Sequence, residues 1–156
     1  MDRLIVRLME EQDLSQVAAI EQEAFSTPWS LQSFRDSLGL PHAIFLIAEY
    51  EGEIAGYCGC YQSIEEGEIT NVAVKRDFRR RGIARTLLEK LFRECRSRGI
   101  GSILLEVRAG NRAAIGLYES LGFEQAGIRR NFYEKPREDA VIMWKRFPIS
   151  EQNIIL

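Results

Sequence analysis

Asn71-Val72-Ala73-Val74-Lys75-Arg76-Asp77-Phe78-Arg79-Arg80-Arg81-Gly82-Ile83-Ala84 is the stretch whose reading decides the fold. Its first four residues close a run of β-formers that begins at Glu68. From Gly82 the apolar period turns helical, with Leu87, Leu88, Leu91, Phe92 and Cys95 on one stripe until Gly99 ends it. A strand therefore passes through a basic, Gly-containing loop straight into a helix. The first N–H groups of such a helix lack partners within it and stand at the positive end of its dipole. That is an anion site: Gly82 allows close backbone approach to a diphosphate, Ala84 keeps the first turn uncrowded, and Arg79 adds a full charge. The spacing is neither G-x-G-x-x-G nor G-x-x-x-x-G-K-S/T, which argues against a dinucleotide or a nucleoside triphosphate.

Outward from this unit, residues 3–8 alternate as a strand. Asp13 with Gln16 resembles a capping box opening a helix that carries Leu14, Val17, Ala18 and Phe25 on one side. A short helix from Ser30 carries Leu31, Phe34 and Leu38 and ends near Gly39 and Pro41. Residues 43–50, 54–62 and 68–74 read as an antiparallel meander with turns at Glu51-Gly52 and Glu66-Gly67. A strand at 102–108, a helix at 111–121 stopped by Gly122, and strands at 123–130 and 139–147 complete the order βααβββαβαββ. This predicts an α+β fold, a mixed and mainly antiparallel sheet with helices packed on both faces. No repeat or linker divides the chain, so a single domain over 1–156 is expected, with a core at about 3–147 and a tail over 148–156.

The chain has 156 residues, 46% of them hydrophobic and 28% charged, a composition that suits one globular core. The longest apolar run, Ala43 to Ala48, is far short of the roughly 20 residues needed to cross a bilayer. The start, Met1-Asp2-Arg3, leads into no long apolar stretch with a cleavage site, which predicts a cytoplasmic protein with no membrane partner. A net charge of −2 provides no global field for nucleic acid, and none is expected as a partner. Three cysteines and a single imidazole, His42, offer no recognisable metal set and neither a Ser-His-Asp nor a Cys-His triad. The expected chemistry uses no covalent enzyme nucleophile and no metal.

R-x-x-G-x-A at Arg79, Gly82 and Ala84, after a strand and before an amphipathic helix, resembles the acyl-coenzyme-A motif of the GNAT superfamily of N-acetyltransferases. Leu105-Glu106-Val107-Arg108, Asn111-Arg112-Ala113-Ala114-Ile115 and Leu117-Tyr118-Glu119-Ser120-Leu121-Gly122-Phe123 extend the likeness. With Pro28-Trp29-Ser30 and Arg137-Glu138-Asp139-Ala140, the set is similar to the RimI branch, which acetylates the N-terminal α-amine of a ribosomal protein. The resemblance implies a three-layer GNAT-like fold, acetyl-coenzyme A as cosubstrate and a protein N-terminus as acceptor. It also implies that backbone groups of Val72, Ala73 and Val74 hold the pantetheine arm. The loop of Arg79, Arg80, Arg81, Gly82, Ile83, Ala84 and Arg85 would bind the pyrophosphate, and Asn111 and Tyr118 would contact the cofactor. Glu106 is then the general base, Tyr118 the general acid, and Trp29 and Tyr133 acceptor contacts.

The residues themselves admit plainer roles. Glu106 shares a strand face with Arg108 and could form an ion pair there. Tyr118 lies at helical spacing from Ala114 and Leu121, as a core tyrosine would, and Asn111 could be only an N-cap. Trp29 could be an apolar anchor, and Glu65, Glu66 and Glu68 either an exposed acidic hairpin or an attractor for an ammonium. Two departures from the family pattern stand out. Ala84 replaces a glycine, and residues 131–136 form a shorter loop beside the acceptor site, without the usual second tyrosine or the glycine before Arg137. A small-amine acetyltransferase and a non-catalytic acyl-coenzyme-A sensor are the alternative expectations.

Overall fold

The computed structural model describes residues 3–148. The chain forms β1 (Leu4–Leu8), α1 (Leu14–Ala24), α2 (Leu31–Leu38), β2 (Ala43–Tyr50), β3 (Glu53–Ser63) and β4 (Glu66–Val74). It continues with α3 (Ile83–Ser97), β5 (Ser102–Arg108), α4 (Arg112–Ser120), β6 (Glu124–Glu134) and β7 (Arg137–Arg146). The element order is the one expected, and the strands make one sheet in the order β1-β2-β3-β4-β5-β7-β6. Every neighbouring pair is antiparallel except β4 with β5. The part of the expected tail beyond Pro148 lies outside the described residues.

Apolar side chains on both faces of the sheet make three layers. On one face α3 lays Leu87, Leu88, Leu91, Phe92 and Cys95 against Ile44, Leu46, Cys58, Ile103 and Leu105, with Tyr118 of α4 and Phe123 at the margin. On the other, Leu14, Val17 and Ile20 of α1 and Phe34 of α2 pack on Phe45, Ile47 and Tyr57. Because β2 is covered on both faces, its run Ile44 to Ala48 is buried without alternation. Cys58, Cys60 and Cys95 are free thiols in the α3-side core.

Four sequence expectations need correction. Asp13 does not cap α1 through its side chain. Its carboxylate accepts from Glu10 N–H (2.8 Å) and from both terminal nitrogens of Arg7 (2.8 and 2.9 Å), pinning the 3-10 turn Glu11–Asp13 to β1. Phe25 lies just past the end of α1 and is exposed rather than on its packed face. The turn between β3 and β4 falls at Ile64-Glu65, not Glu66-Gly67, and Gly67 is buried within β4. Residues 131–136 are not a free loop, since β6 runs to Glu134 and pairs Tyr133 with Glu138 and Glu134 with Arg137.

One glycine is fixed by packing. A Cβ on Gly59 would stand 2.2 Å from Cε1 of Phe45, whose ring lies across it from the paired strand. That ring is wedged among Trp29, Phe34 and Tyr61, with centroids 6.0, 6.2 and 6.1 Å away, and has no direction in which to yield. Gly59→Ala is expected to destabilise by about 1–3 kcal/mol. The check is a lowered urea midpoint at unchanged slope.

Candidate active site

Strands β4 and β5 are hydrogen-bonded neighbours over three pairs only, Glu66 with Ser102, Gly67 with Ile103 and Glu68 with Leu104. Beyond these they splay, and the sheet opens from Ile69 and Leu105 onward. The direction of the exposed main chain follows from the other ladder. Lys75 N–H donates to Ala55 O at 2.7 Å, so by the alternation of a strand the N–H groups of Val74 and Val72 point away from β3, into the opening. A buried main-chain edge without a partner strand requires donors and acceptors from elsewhere.

At the far end of β4 the chain makes the 3-10 turn Arg76–Phe78 and enters α3 through Arg80 (φ 66°) and Gly82 (φ 77°). The first bond of α3 is Thr86 N–H to Gly82 O at 3.1 Å, which leaves the N–H groups of Ile83, Ala84 and Arg85 free of intrahelical partners. Space beside Gly82 is open: none of the described residues lies within 4 Å of where a Cβ would be. Lys75 and Arg76 face Glu53 (2.6 Å) and Glu23 (3.5 Å), whereas Arg80 makes no ion pair among the described residues. The basic side chains are more committed than their spacing suggested. Arg79 Nε donates to Val74 O at 3.1 Å, Arg81 lies over the Phe78 ring at 5.4 Å, and Arg85 donates to Ser120 Oγ, joining α3 to α4. The Ile83 side chain is in the core, so only its main chain can meet a ligand.

The splay is continuous with a cavity of about 580 Å³ that gathers Trp29, Val72, Glu106, Asn111, Tyr118 and Tyr133. Ala73, Val74 and the Arg79–Arg85 loop are outside its lining and extend from its end along β4. Leu105 and Val107 belong to the α3-side core, so alternation puts Glu106 on the α1 side of the sheet. Tyr118 reaches the opening from α4 on the other side. The two proposed proton-transfer groups thus approach one gap from opposite faces.

Glu106 is not paired with Arg108. Its side chain is 15% exposed, and its nearest cation is Arg129, 3.7 Å away on β6 and largely in solvent. Burial raises the Glu106 pKa above the usual carboxylate value; Arg129 opposes the rise and the Glu68 carboxylate adds to it. Arg108 turns instead to the β6–β7 hairpin, donating to Pro136 O (2.9 Å), Lys135 O (3.1 Å) and Glu138 (3.2 Å), and to Ser26 Oγ (3.3 Å). Its guanidinium covers the Tyr133 ring at 4.2 Å. Sequence reasoning missed this knot because its partners are non-local.

Tyr118 packs its ring edge-on against Phe123, centroids 5.5 Å apart, while its hydroxyl makes no hydrogen bond among the described residues. Burial raises its pKa above that of an ordinary phenol, so it stays protonated. Tyr133 is also raised, by burial and then by the Glu106 carboxylate. Asn111 does cap α4, accepting from Ala114 N–H at 3.2 Å, and lines the cavity as well. Trp29 packs its ring on Phe34 (5.2 Å) and Tyr61 (6.2 Å), as an apolar anchor would, and it also borders the cavity. Glu65, Glu66 and Glu68 are exposed, and Glu68 alone reaches Glu106 electrostatically.

A helix start with unpaired main-chain N–H groups beside a splayed parallel strand pair is an arrangement suited to a diphosphate-bearing acyl carrier. Residues 14–123 match the family model of the acetyltransferase (GNAT) family, and the chain belongs to that family. It is thereby an N-acetyltransferase, of a family that uses acetyl-coenzyme A. The [ribosomal protein bS18]-alanine N-acetyltransferase of Escherichia coli (strain K12) is 42% identical over 144 residues, 91% of this chain and 95% of the relative. The crystal structure of the ribosomal-protein-S18-alanine N-acetyltransferase from Escherichia coli superposes with a TM-score of 0.88 at 37% identity, covering 98% of this chain and 99% of that one. Ard1 from Thermoplasma volcanium gives a TM-score of 0.87 at 26% identity, covering 94% and 99%.

Proposed function

We propose that the chain transfers an acetyl group directly to the N-terminal α-amine of a protein in the cytoplasm, and that the acceptor is the N-terminal alanine of ribosomal protein bS18. The observation that carries the reading is the single opening between β4 and β5, lined by Val72, Glu106 and Tyr118 together. The relatives named for that acceptor support its identity.

Acetyl-coenzyme A fits the residues present and supplies, when bound, a thioester carbonyl open to attack. The N–H groups of Ile83, Ala84 and Arg85, with the open flank of Gly82, suit its diphosphate; the edge at Val72 and Val74 suits an amide-bearing arm. Val74 N–H is a candidate donor to the oxygen on which negative charge develops. An α-amine has a pKa near 7.7–8.0 against roughly 10.4 for lysine, so an appreciable fraction is already neutral at pH 7. A weak base then suffices, and Glu106, its pKa raised toward the working range, takes the amine proton, directly or through a water. Tyr118 holds its proton for the departing sulfur.

Gly82→Ala isolates the cofactor half. The left-handed backbone at φ 77° should cost about 1 kcal/mol of stability in any L-residue. A methyl group in the open flank should weaken acetyl-coenzyme A binding about tenfold or more, the scale of one charge-assisted hydrogen bond. Thermal melts and cofactor titration separate the two effects.

The reading as a whole is tested by incubation with labelled acetyl-coenzyme A and a peptide panel. The panel holds a peptide with the N-terminal residues of bS18, the same peptide with its α-amine blocked, lysine-only peptides and small amines. Label on the free α-amine of the first peptide alone is expected. Preference for lysine or a small amine would overturn the acceptor, and tight binding without transfer would overturn the reaction.

A further inference from the structure

We propose that Glu21 is a positioning residue for the acceptor, fastening the wall that receives the peptide N-terminus to the strand that borders the reaction. The inference rests on the peptide-acceptor reading above. Glu21 sits on the packed stripe of α1 with Leu14, Val17 and Ile20 and is 2% exposed. An apolar residue there would bury α1 at lower cost, since a carboxylate taken from water is tolerated only when its lone pairs are filled. No cation lies within ion-pair distance of it among the described residues; three neutral donors fill it instead. Oε2 accepts from Trp29 N–H at 2.9 Å, and Oε1 accepts from the Tyr57 hydroxyl and from Asn71 Nδ2 at 3.2 Å.

These donors come from three separate elements: the α1–α2 connection, β3 and β4. Phe25, Ser26, Thr27 and Trp29 of that connection form one wall of the cavity, and Asn71 lines it from β4. The network also leaves acceptors unmet at the cavity. Asn71, oriented by Glu21 through its amide nitrogen, keeps a buried Oδ1 with no partner among the described residues, as does Thr70 Oγ1 beside it. A buried acceptor in that state calls for a donor, and the amine or first amide N–H of a peptide provides one. The cofactor edge is held independently, because Val72 and Val74 are set by pairing with Cys58 and Gly56 of β3.

The test is Glu21→Gln in steady-state assays that vary the bS18 N-terminal peptide and acetyl-coenzyme A separately. Gln must turn its NH₂ either on the Tyr57 and Asn71 donors or on Trp29 N–H, so the peptide KM should rise about tenfold or more, as for loss of a charge-assisted hydrogen bond. The acetyl-coenzyme A KM should not change. Tyr57→Phe retains the carboxylate and removes one donor, so a smaller rise in peptide KM is expected, and this variant decides the matter if Glu21→Gln does not fold. An unchanged peptide KM in a folded variant, or an equal rise in both KM values, overturns the inference. Failure of the wild-type protein to modify the peptide α-amine would instead overturn the proposed function, and this inference with it.

Discussion

Glu106→Gln is expected to lower kcat on an N-terminal peptide about a hundredfold or more, within the range of a lost general base. The KM for acetyl-coenzyme A should remain as it was. Gln has the shape of Glu and keeps the loose contact with Arg129, so the change isolates proton acceptance from packing. The loss should be greatest below pH 7, where most of the amine is charged and must surrender a proton before it attacks. In the wild-type protein the acid limb of the rate should therefore combine Glu106 and the amine, with the Glu106 inflection above the ordinary carboxylate range. A parallel loss at every pH would remove Glu106 from the base role.

The same substitution makes a stability prediction of opposite sign. Glu106 has a folded-state pKa above its unfolded value, so its contribution is fully present below the unfolded pKa and is lost as pH rises through the folded one. At neutral pH its ionised form weakens the fold. Glu106→Gln should hence melt at the same temperature as the wild type or higher at pH 7, and lose that advantage near pH 4. Reduced turnover with undiminished stability would distinguish a residue held for chemistry from one held for packing.

What the sequence discloses here follows the range of the forces involved. The stripe Leu87, Leu88, Leu91, Phe92 and Cys95 was legible because an amphipathic helix records its burial in its own spacing. The ends of β6 were not, since the strand is exposed along nearly all its length and its extent is set by pairing with β7. Gly67 misled for a physical reason. A Cβ there would lie 3.0 Å from Cys60 Sγ and 3.4 Å from Ile100, so this glycine serves close packing within β4 rather than a turn. The same division runs through the site. The spacing of Arg79, Gly82 and Ala84 falls within one short segment and can be read along the chain, whereas the choice of Glu138 by Arg108 depends on a hairpin 30 residues away. Glu21 did leave a trace, as a lone carboxylate on the apolar face of α1, but its donors on β3 and β4 are supplied only by the fold.

Tyr118→Phe should reduce kcat by about a hundredfold or less, the low end for loss of a positioned proton donor. The limit comes from the leaving group. An ordinary thiol has a pKa near 8.5, so a thiolate can depart at neutral pH without waiting for a proton, and donation by Tyr118 is expected to assist the step without being indispensable. Stability should change by about 1 kcal/mol or less, because the ring contacts with Phe123 survive and no protein hydrogen bond is lost among the described residues. The pH profile carries the sharper test. With its pKa above that of a free phenol, Tyr118 remains a donor throughout the range in which the amine titrates, so the wild-type rate should rise with pH and then level, with no descending limb up to about pH 9. A descending limb below that point, absent from the Phe variant, would mean that the hydroxyl ionises readily; the buried, protonated Tyr118 on which acid catalysis depends would then be the wrong description.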